Sequence, residues 1–406
     1  LYKRDRMNMP KVRSLSGGAN QSGLRDYNER LLLSMLLRNG PMPGSNLARL
    51  AGLSSQTVSV ILRKLENDGL LERGEPKRGG RVGKPSVPMG LAAKGVLSLG
   101  LKIGRRSSEL ILIGFTGMII DQISINYQSP LPEEIFQFLT KGIDKLLQGL
   151  TDAEKNRICG LGIAAPFELT NSYKEHDSVH EEFKAWSNVN LVEEIANLTH
   201  LPIHPANDAT AACKAEHVYG RGKEFRDYAY FFIAAYIGGG VVLNHSVFEG
   251  HQGNAGALGS LRSTGPNGES RQLIDIASLH LLEKRLEQVD IDPKILWDSP
   301  QDWSSISRYV EQWIGQTAQE LAKAALSTCS VIDFEAIIID GSFPADVRDE
   351  LVERTRRYLT NQDARGLIKP LTEAGSIGRD ARAIGAASGP IFAQFFLNTN
   401  VGLVQI

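Results

Sequence analysis

The sequence predicts an α/β chain in which an N-terminal winged helix-turn-helix module precedes a larger, two-lobed α/β body. Three observations predict it. Residues 1–90 hold 16 Lys/Arg against 7 Asp/Glu, a net of +9, whereas residues 91–406 hold 29 against 39, a net of −10. A basic module on an acidic body points to a polyanionic partner for the module alone. The stretch LARLAGLSSQTVSVILRKL, Leu47 to Leu65, spaces two amphipathic helices about a glycine-containing turn. From Val96 onward, strand-like and helix-like segments alternate.

Composition narrows the class further. The chain has 406 residues, is 42% hydrophobic and 22% charged, and carries a formal charge of −1. That length supplies core enough for two or three domains without covalent staples. Three widely spaced cysteines, Cys159, Cys213 and Cys329, form neither a disulfide framework nor a CxxC metal clip, which predicts a reducing, cytoplasmic setting. No run approaches about 18 apolar residues and the polar start lacks a signal-peptide core. Secreted, membrane-spanning, collagenous and wholly disordered classes are therefore excluded. Residues 1–24 are expected to be a flexible arm or residues added in cloning, with the native status of residues 1–9 open.

The module, residues 25–90, is built in order. Arg25 to Arg38 puts Leu31, Leu32, Leu33, Met35, Leu36 and Leu37 on one broad apolar face, and Asn39-Gly40-Pro41 ends that helix. Gly44-Ser45 opens a short helix with Leu47, Ala48, Leu50 and Ala51, which Gly52 breaks. Ser54 caps a third helix to about Asp68, with Val58, Ile61, Leu62 and Leu65 facing inward. Ser55, Gln56, Thr57 and Ser59 fill its first turns, with Arg63 one turn on. Such side chains at a positive helix end can read base edges in a major groove and hold phosphate; an ordinary capped surface helix is the alternative. The segment EPKRGGRVGKPSVPMGL follows, with Arg78, Arg81 and Lys84 interleaved with Gly79, Gly80 and Gly83. A thin, basic hairpin of this kind suits a minor groove or phosphates. Asn20 and Gln21, in GGANQSGLRD, belong to an extra DNA-contacting arm or to a plain tail. The expected partner is double-stranded DNA, a palindromic operator met by a homodimer or tetramer.

The body begins with three strands, Val96 to Gly104, Glu109 to Gly117 and Met118 to Tyr127. A helix from Pro132 to Leu150, a buried strand from Arg157 to Pro166, a helix near Leu191 to Leu198 and a short strand at Pro202 to His204 follow. Asn207 to Gly220 opens another helix. Tyr228 to Tyr236 predicts a strand that continues through Gly238-Gly239-Gly240 into Val241 to Leu243. Helices at about Ser304 to Cys329 and Ala345 to Thr360 flank a strand, Ala336 to Asp340. No repeat of 20–50 residues is present. The order βββαβα followed by ββ and αβα predicts a ribonuclease-H-like half and a second, related half, at about 91–205 plus the C-terminal helix and 206–385. Trp186, Trp297, Trp303 and Trp313 are expected in core or interface. Ile306, Val310, Trp313, Ile314, Leu321 and Ala325 form a buried stripe.

Several motifs in order carry a family resemblance. GLKIGRRSSELILIGFTG, GLGIAAP, NDATAACKAE, IGGGVVLNHSVFEG, GNAGALG and the C-terminal IGAA resemble the ROK family, bacterial sugar kinases together with repressors that place a winged helix ahead of the same body. The likeness covers most of residues 20–390, and LAGLSSQTVSVILRKLENDGLL and GRVGKP resemble its repressor branch. It implies an actin-like, sugar-kinase-like body that senses a sugar or sugar derivative and pairs the winged helices. The function implied is a cytoplasmic, DNA-binding repressor of a carbohydrate-related operon.

The departures from the family's kinases matter as much. Kinase members read roughly DxGGT in the first hairpin; here the stretch is Lys102-Ile103-Gly104-Arg105-Arg106. Their phosphate loop resembles GTGIGGG; here Ala234-Ala235-Tyr236-Ile237-Gly238-Gly239-Gly240 sets a tyrosine among the phosphate-facing glycines. At Asp340-Gly341-Ser342-Phe343-Pro344 an acidic side chain is expected to repel phosphate. Asp208 alone matches the family's catalytic base, so the chain is expected not to be an enzyme, with no catalytic residues and no cofactor. By resemblance Asn207 and Asp208 contact sugar hydroxyls, although an Asn-Asp helix cap also explains the pair. The family's GEIGH is Gly256-Ala257-Leu258-Gly259-Ser260 here, and Leu261 to Ile276 contains no cysteine, so no zinc is expected. His251 and Asn254 are the remaining ligand candidates on that loop, against an incidental histidine near a glycine turn. Two rivals stand beside the repressor: a ligand-independent DNA-binding protein and an ATP-dependent sugar kinase.

Overall fold

The computed structural model describes residues 21–76, 87–166, 181–264 and 268–397. The chain divides into two compact units, one up to Gly95 joined by the segment that starts at Ile391, the other Val96–Pro390.

In the first unit, α1 (Gln21–Asn39), β1 (Met42–Pro43), α2 (Gly44–Ala51), α3 (Ser55–Asn67), β2 (Leu71–Arg73) and β3 (Pro88–Leu91) follow in order. Leu32, Leu36, Leu47, Val58, Ile61 and Leu65 are buried, so the three helices meet on the stripes that their 3.6-residue spacing sets out. Gly52 takes a left-handed φ of 64° and ends α2, which a side chain would strain. Ser54 Oγ accepts from the Thr57 N–H at 3.1 Å and starts α3. The small sheet runs β1-β3-β2, with β2 and β3 antiparallel. At the far end of the chain, Phe396 is buried and the Leu397 N–H donates to Ser34 Oγ of α1 at 3.0 Å.

The second unit repeats one sheet topology twice. Its first half holds β4 (Leu97–Ile103), β5 (Ser107–Gly114), β6 (Ile119–Asn126), α4 (Pro132–Gln148), α5 (Asp152–Lys155), β7 (Ile158–Ala165), α6 (Leu191–Leu198) and β8 (Ile203–Asn207). The strands lie in the order β6-β5-β4-β7-β8. β4 pairs antiparallel with β5 and parallel with β7, and every residue of these three strands is buried, as an internal sheet covered on both faces requires. After α7 (Asp208–Tyr219), the second half adds β9 (Tyr228–Ile233), β10 (Ile237–Leu243), β11 (Ser246–Phe248), the ribbon β12 (Arg262–Thr264) and β13 (Ser270–Gln272), α8 (Ile274–Ala277) and α9 (His280–Glu287). Then come α10 (Ser307–Cys329), β14 (Ala336–Gly341), α11 (Ala345–Thr360), β15 (Leu371–Ala374) and α12 (Ala381–Phe395). The order β11-β10-β9-β14-β15 matches the first sheet strand for strand. The ribonuclease-H-like pair of halves is thus present. The α10 stripe is buried throughout, with the Trp313 indole N–H donating to Ser278 O at 3.1 Å.

Two local expectations are corrected. Tyr228 to Leu243 is a hairpin rather than one strand: the chain reverses at Ala234–Tyr236, and Ile237 pairs back with Ile233. The triple glycine lies inside β10 because side chains would not fit there. A Cβ on Gly239 would sit 2.3 Å from Tyr230 O, and one on Gly240 2.5 Å from Cys213 Cβ. The segment between Ser260 and Asp275 contains the β12–β13 ribbon rather than plain loop.

The IGAA motif proves to be a packing device. A Cβ on Gly162 of β7 would lie 1.7 Å from Ala386 O, and one on Gly385 of α12 1.8 Å from Ala211 O of α7. Helices and sheet approach so closely that only hydrogen fits at these points. Gly162→Ala is therefore expected to destabilise by about 1–3 kcal/mol or more through overpacking. Gly149, at φ −77° with nothing within 4 Å of its would-be Cβ, is expected to gain about 0.4–1 kcal/mol as Ala. Urea denaturation of both variants checks the opposite signs.

Candidate functional site

In the first unit, the outer face of α3 exposes Ser55, Gln56, Thr57, Ser59 and Arg63, while Val58, Ile61, Leu62 and Leu65 pin the other face. Thr57 Oγ1 lies 2.8 Å from Ser54 Oγ, so this hydroxyl is part of the cap as well as of the exposed turn. Arg73 of β2 grips Glu66 of α3 with two N–H donors, at 2.6 and 2.9 Å, which ties the base of the wing to the helix beside it. Lys64 reaches Glu29 of α1 at 2.6 Å. Gln21 begins α1. Asn20, Arg78, Arg81 and Lys84 lie outside the described residues.

The second unit contains a cleft of about 160 Å³ lined by residues from seven places in the sequence, Ile274 among them. Asn207 and Asp208 enter from the start of α7, and the hairpin turn between β9 and β10 contributes Ala234, Tyr236 and Gly238. The loop from Asn254 to Ser260 forms another wall, and Pro166, Arg105 and Arg382 complete it. The hairpin turn is held by backbone bonds from the Leu279 N–H to Ala234 O and from the His280 N–H to Ala235 O, at 3.0 and 3.1 Å. Gly256, at φ 78°, lets the loop pass Gly240, whose Cα would be 2.5 Å from any Cβ there.

Asn207 caps α7: its Oδ1 accepts from the Ala209 and Thr210 N–H groups, both at 3.1 Å. The helix-cap reading of the Asn-Asp pair therefore describes the Asn207 carbonyl oxygen. Asp208 Oδ1 accepts from the Ala209 N–H at 2.9 Å, and Oδ2 accepts from Arg382 Nη1 at 3.3 Å. Asn254 lines the cleft; His251, between the left-handed Gly250 and Gly253, is exposed and is not among the lining residues.

The basic residues expected to obstruct phosphate separate into three environments. Lys102 is 1% exposed and is not among the cleft residues; its ammonium donates to Ser107 Oγ at 2.7 Å, Ser107 O at 3.1 Å and Glu109 Oε1 at 3.2 Å. Burial pushes its pKa down to about 8 against the pull of Glu109, so it remains charged at neutral pH. Burial also works to raise the Glu109 carboxyl, but Lys102, Arg382 and Arg379 hold it below its usual value. Arg106 reaches Glu283 at 3.0 Å and Gln128 O at 2.7 Å. Arg105 alone of the three lines the cleft, with its guanidinium carbon 3.8 Å from the centre of the Tyr236 ring. Tyr236 in turn stacks on His280 at 4.6 Å. Burial lowers the His280 pKa, which keeps that imidazole neutral within the stack.

Asp340 is fully buried and not among the cleft residues. It accepts from Tyr230 O–H at 3.2 Å and from the Gly341 and Gly378 N–H groups, both at 2.9 Å. Burial raises its pKa to about 6. A carboxyl raised on folding binds its proton more tightly in the folded state, so its contribution is complete below the unfolded value near 4 and is lost as pH rises through about 6. Two pKa units correspond to about 3 kcal/mol. Urea midpoints measured from pH 4 to 7 are expected to fall in the wild type relative to Asp340→Asn; parallel profiles would remove this role.

Among the described residues no group of three or more His, Cys, Asp or Glu could hold a metal ion, and no helix is long and apolar enough to cross a membrane. The three cysteines are free and buried.

With this geometry in hand, the chain can be set beside known proteins. It belongs to the ROK family, whose model matches residues 98–389, and a winged helix-turn-helix DNA-binding model matches residues 25–72. It is 26% identical over 377 residues, 91% of this chain and 92% of the relative, to protein y4fQ of Sinorhizobium fredii. It is 26% identical over 244 residues to the xylose repressor of Bacillus subtilis, a match spanning 60% of this chain and 62% of that protein. A solved ROK family transcriptional regulator, a homolog of the E. coli MLC protein, superposes with a TM-score of 0.63 over 92% of this chain and 97% of that one, at 19% identity. At that identity the superposition establishes the fold.

Arg382 was not among the residues that sequence reasoning singled out, and Arg105 had entered only as an obstacle to phosphate. The signal for Arg382 is faint: it is one of two arginines, with Arg379, just ahead of Ile384 to Ala387, whose small residues serve packing.

Proposed function

We propose that this chain is a DNA-binding transcriptional regulator, a repressor of a carbohydrate-related operon, whose body takes up a sugar or sugar derivative in the Asp208 cleft without phosphorylating it. One observation carries the reading: the capped α3, polar and exposed along one face, stands ahead of a body whose cleft keeps Asp208 and is also lined by Arg105 and Tyr236. The repressors named among its relatives support the same reading. The cleft, smaller than the roughly 300–1,000 Å³ of drug-sized sites, suits one small polar solute. A nucleoside triphosphate would need more room and a glycine-lined phosphate path.

The working division is an arm at 1–24, a DNA-binding module at 25–90 and a sensing and pairing body at 91–406. The active species is a cytoplasmic homodimer on a palindromic operator, the two-fold axis of the protein matching that of the DNA. One helix, α12, carries Arg382 in its first turn and ends in the segment grouped with the first unit. A solute that displaces Arg382 from Asp208 thereby acts on a helix continuous with that unit.

Genomic fragments retained by the purified chain, recovered and sequenced, provide the test. Binding is expected to weaken steeply with salt, as counterion release demands. Arg81→Ala should weaken every sequence alike, whereas Gln56→Ala should relax preference at one or two base pairs. Absence of any salt-dependent retention would remove the DNA-binding reading. The kinase alternative, favoured by Asp208 and by the fold shared with a Streptomyces griseus ROK family glucokinase, predicts sugar-dependent ATP turnover in the same preparation.

A further inference from the structure

The ionisable side chains lining the cleft are unusual for a neutral solute. Among the described residues that line it, Arg105 and Arg382 are positive, Asp208 is negative and the Tyr236 phenol is neutral, a net of +1. Each arginine is 8% exposed. Withdrawing two guanidinium groups from water is costly unless charge or hydrogen bonds compensate.

The compensation around Arg382 is incomplete. Nη1 meets Asp208 and Nη2 meets Ser342 Oγ, both at 3.3 Å, long for charge-assisted bonds. Its Nε is buried with no hydrogen-bond partner among the described residues. Phe232, also in the lining, lies 5.3 Å from its guanidinium carbon and holds the group on an aromatic face. Arg105 is fixed by the Tyr236–His280 stack, which sets the plane in which its N–H groups lie. The cleft therefore presents two pre-oriented planar forks, one with an unsatisfied donor, beside the carboxylate and amide that suit hydroxyls. Planar forks are the groups that recognise carboxylate and phosphate oxygens.

We infer that Arg105 and Arg382 form an anion subsite in this cleft, and that the effector is a polyhydroxylated molecule bearing one carboxylate or phosphate. This rests on the reading of the cleft as the effector site. Hydroxyls meet Asp208 and the Asn207 amide, while the anionic group draws Arg382 from Asp208 and bridges toward Arg105.

The test is calorimetry on the full chain at low salt with matched probes: glucose, galactose and xylose, their aldonic acids, and glucose 6-phosphate, galactose 6-phosphate and xylose 5-phosphate. At least one acid or phosphate is expected to bind ten- to a hundredfold more tightly than its neutral parent, the span of a charge-assisted contact, with the margin shrinking as salt rises. The acid and phosphate arms distinguish the two anionic groups. Arg105→Gln should erase the margin between each charged probe and its neutral parent, with Arg382→Lys as a second variant that keeps the charge but loses the fork. A neutral sugar that binds as tightly as both charged forms and depends on Asp208 would overturn the anion subsite and leave the proposed function standing. If no probe of any charge binds, both fall. An anion preference unchanged in both variants would overturn the assignment to these residues.

Discussion

Lys102→Met is expected to destabilise the body by about 3–5 kcal/mol, the loss typical when one partner of a buried ion pair is removed. The pair is Lys102 with Glu109, 3.2 Å apart and nearly sealed from solvent. Methionine fills much of the same volume but leaves the Glu109 carboxylate facing Ser107 Oγ at 3.5 Å and the Arg379 guanidinium at 4.0 Å. Glu109 then loses its nearest counterion and keeps only the weaker pull of Arg379 and Arg382, or takes up a proton. The double variant Lys102→Met, Glu109→Gln should recover most of the loss, because the charge is removed together with its counterion. Urea denaturation of the four proteins in this cycle measures the coupling directly. Equal losses for the single and double variants would show that packing, not charge pairing, sets the stability here. The interest is functional as well: the residue standing where kinase relatives are expected to carry an aspartate is a buried ion-pair partner and not among the cleft residues.

Asp208→Asn is expected to weaken effector binding ten- to a hundredfold while leaving the fold intact. A hydrogen bond from a desolvated hydroxyl to a carboxylate contributes about 1.5–3 kcal/mol, and the amide keeps the shape but not the charge. The substitution also takes the Arg382 Nη1 donor's anionic partner away. The loss for a neutral sugar should therefore exceed that for an anionic one, which supplies Arg382 with a new counterion. Titration of wild type and variant with both kinds of probe reads this difference. Identical affinities in the two proteins would place the binding site elsewhere.

The sequence announces the architecture of both units because periodicity is a local property. Leu31 to Leu37, the Val58-Ile61-Leu62-Leu65 stripe and the α10 stripe each follow from spacing alone, and each is largely buried. The inner strands β4, β5 and β7 of the first sheet are mostly apolar and wholly buried, as strands covered on both faces must be. The hairpin of β9 and β10 escaped because three consecutive glycines look like loop until their neighbours are known. Tyr230 O and Cys213 forbid side chains there, and neither is visible in the local pattern. The cleft was half visible. Asp208 and Asn254 stand out by motif, but Arg382 is 174 residues from the carboxylate it pairs with. Only tertiary folding brings α12 to the start of α7. Similarly, nothing in Gly104-Arg105-Arg106 tells which arginine turns into the cleft and which reaches Glu283. His251, promising as an imidazole near a glycine turn, is exposed and is not among the cleft residues.

The central claim is that a small solute in the body's cleft sets the affinity of the winged helix for DNA, which requires different affinity of that solute for the DNA-bound and free arrangements. The direct measurement is fluorescence anisotropy of a labelled operator, recovered from the genomic selection, titrated with wild-type protein in the presence of each neutral and anionic sugar probe. The account predicts that at least one probe shifts the midpoint of DNA binding, that Asp208→Asn requires correspondingly more of it, and that no probe is phosphorylated when ATP is added. A midpoint indifferent to every probe, or sugar phosphorylation by the wild type, would contradict it.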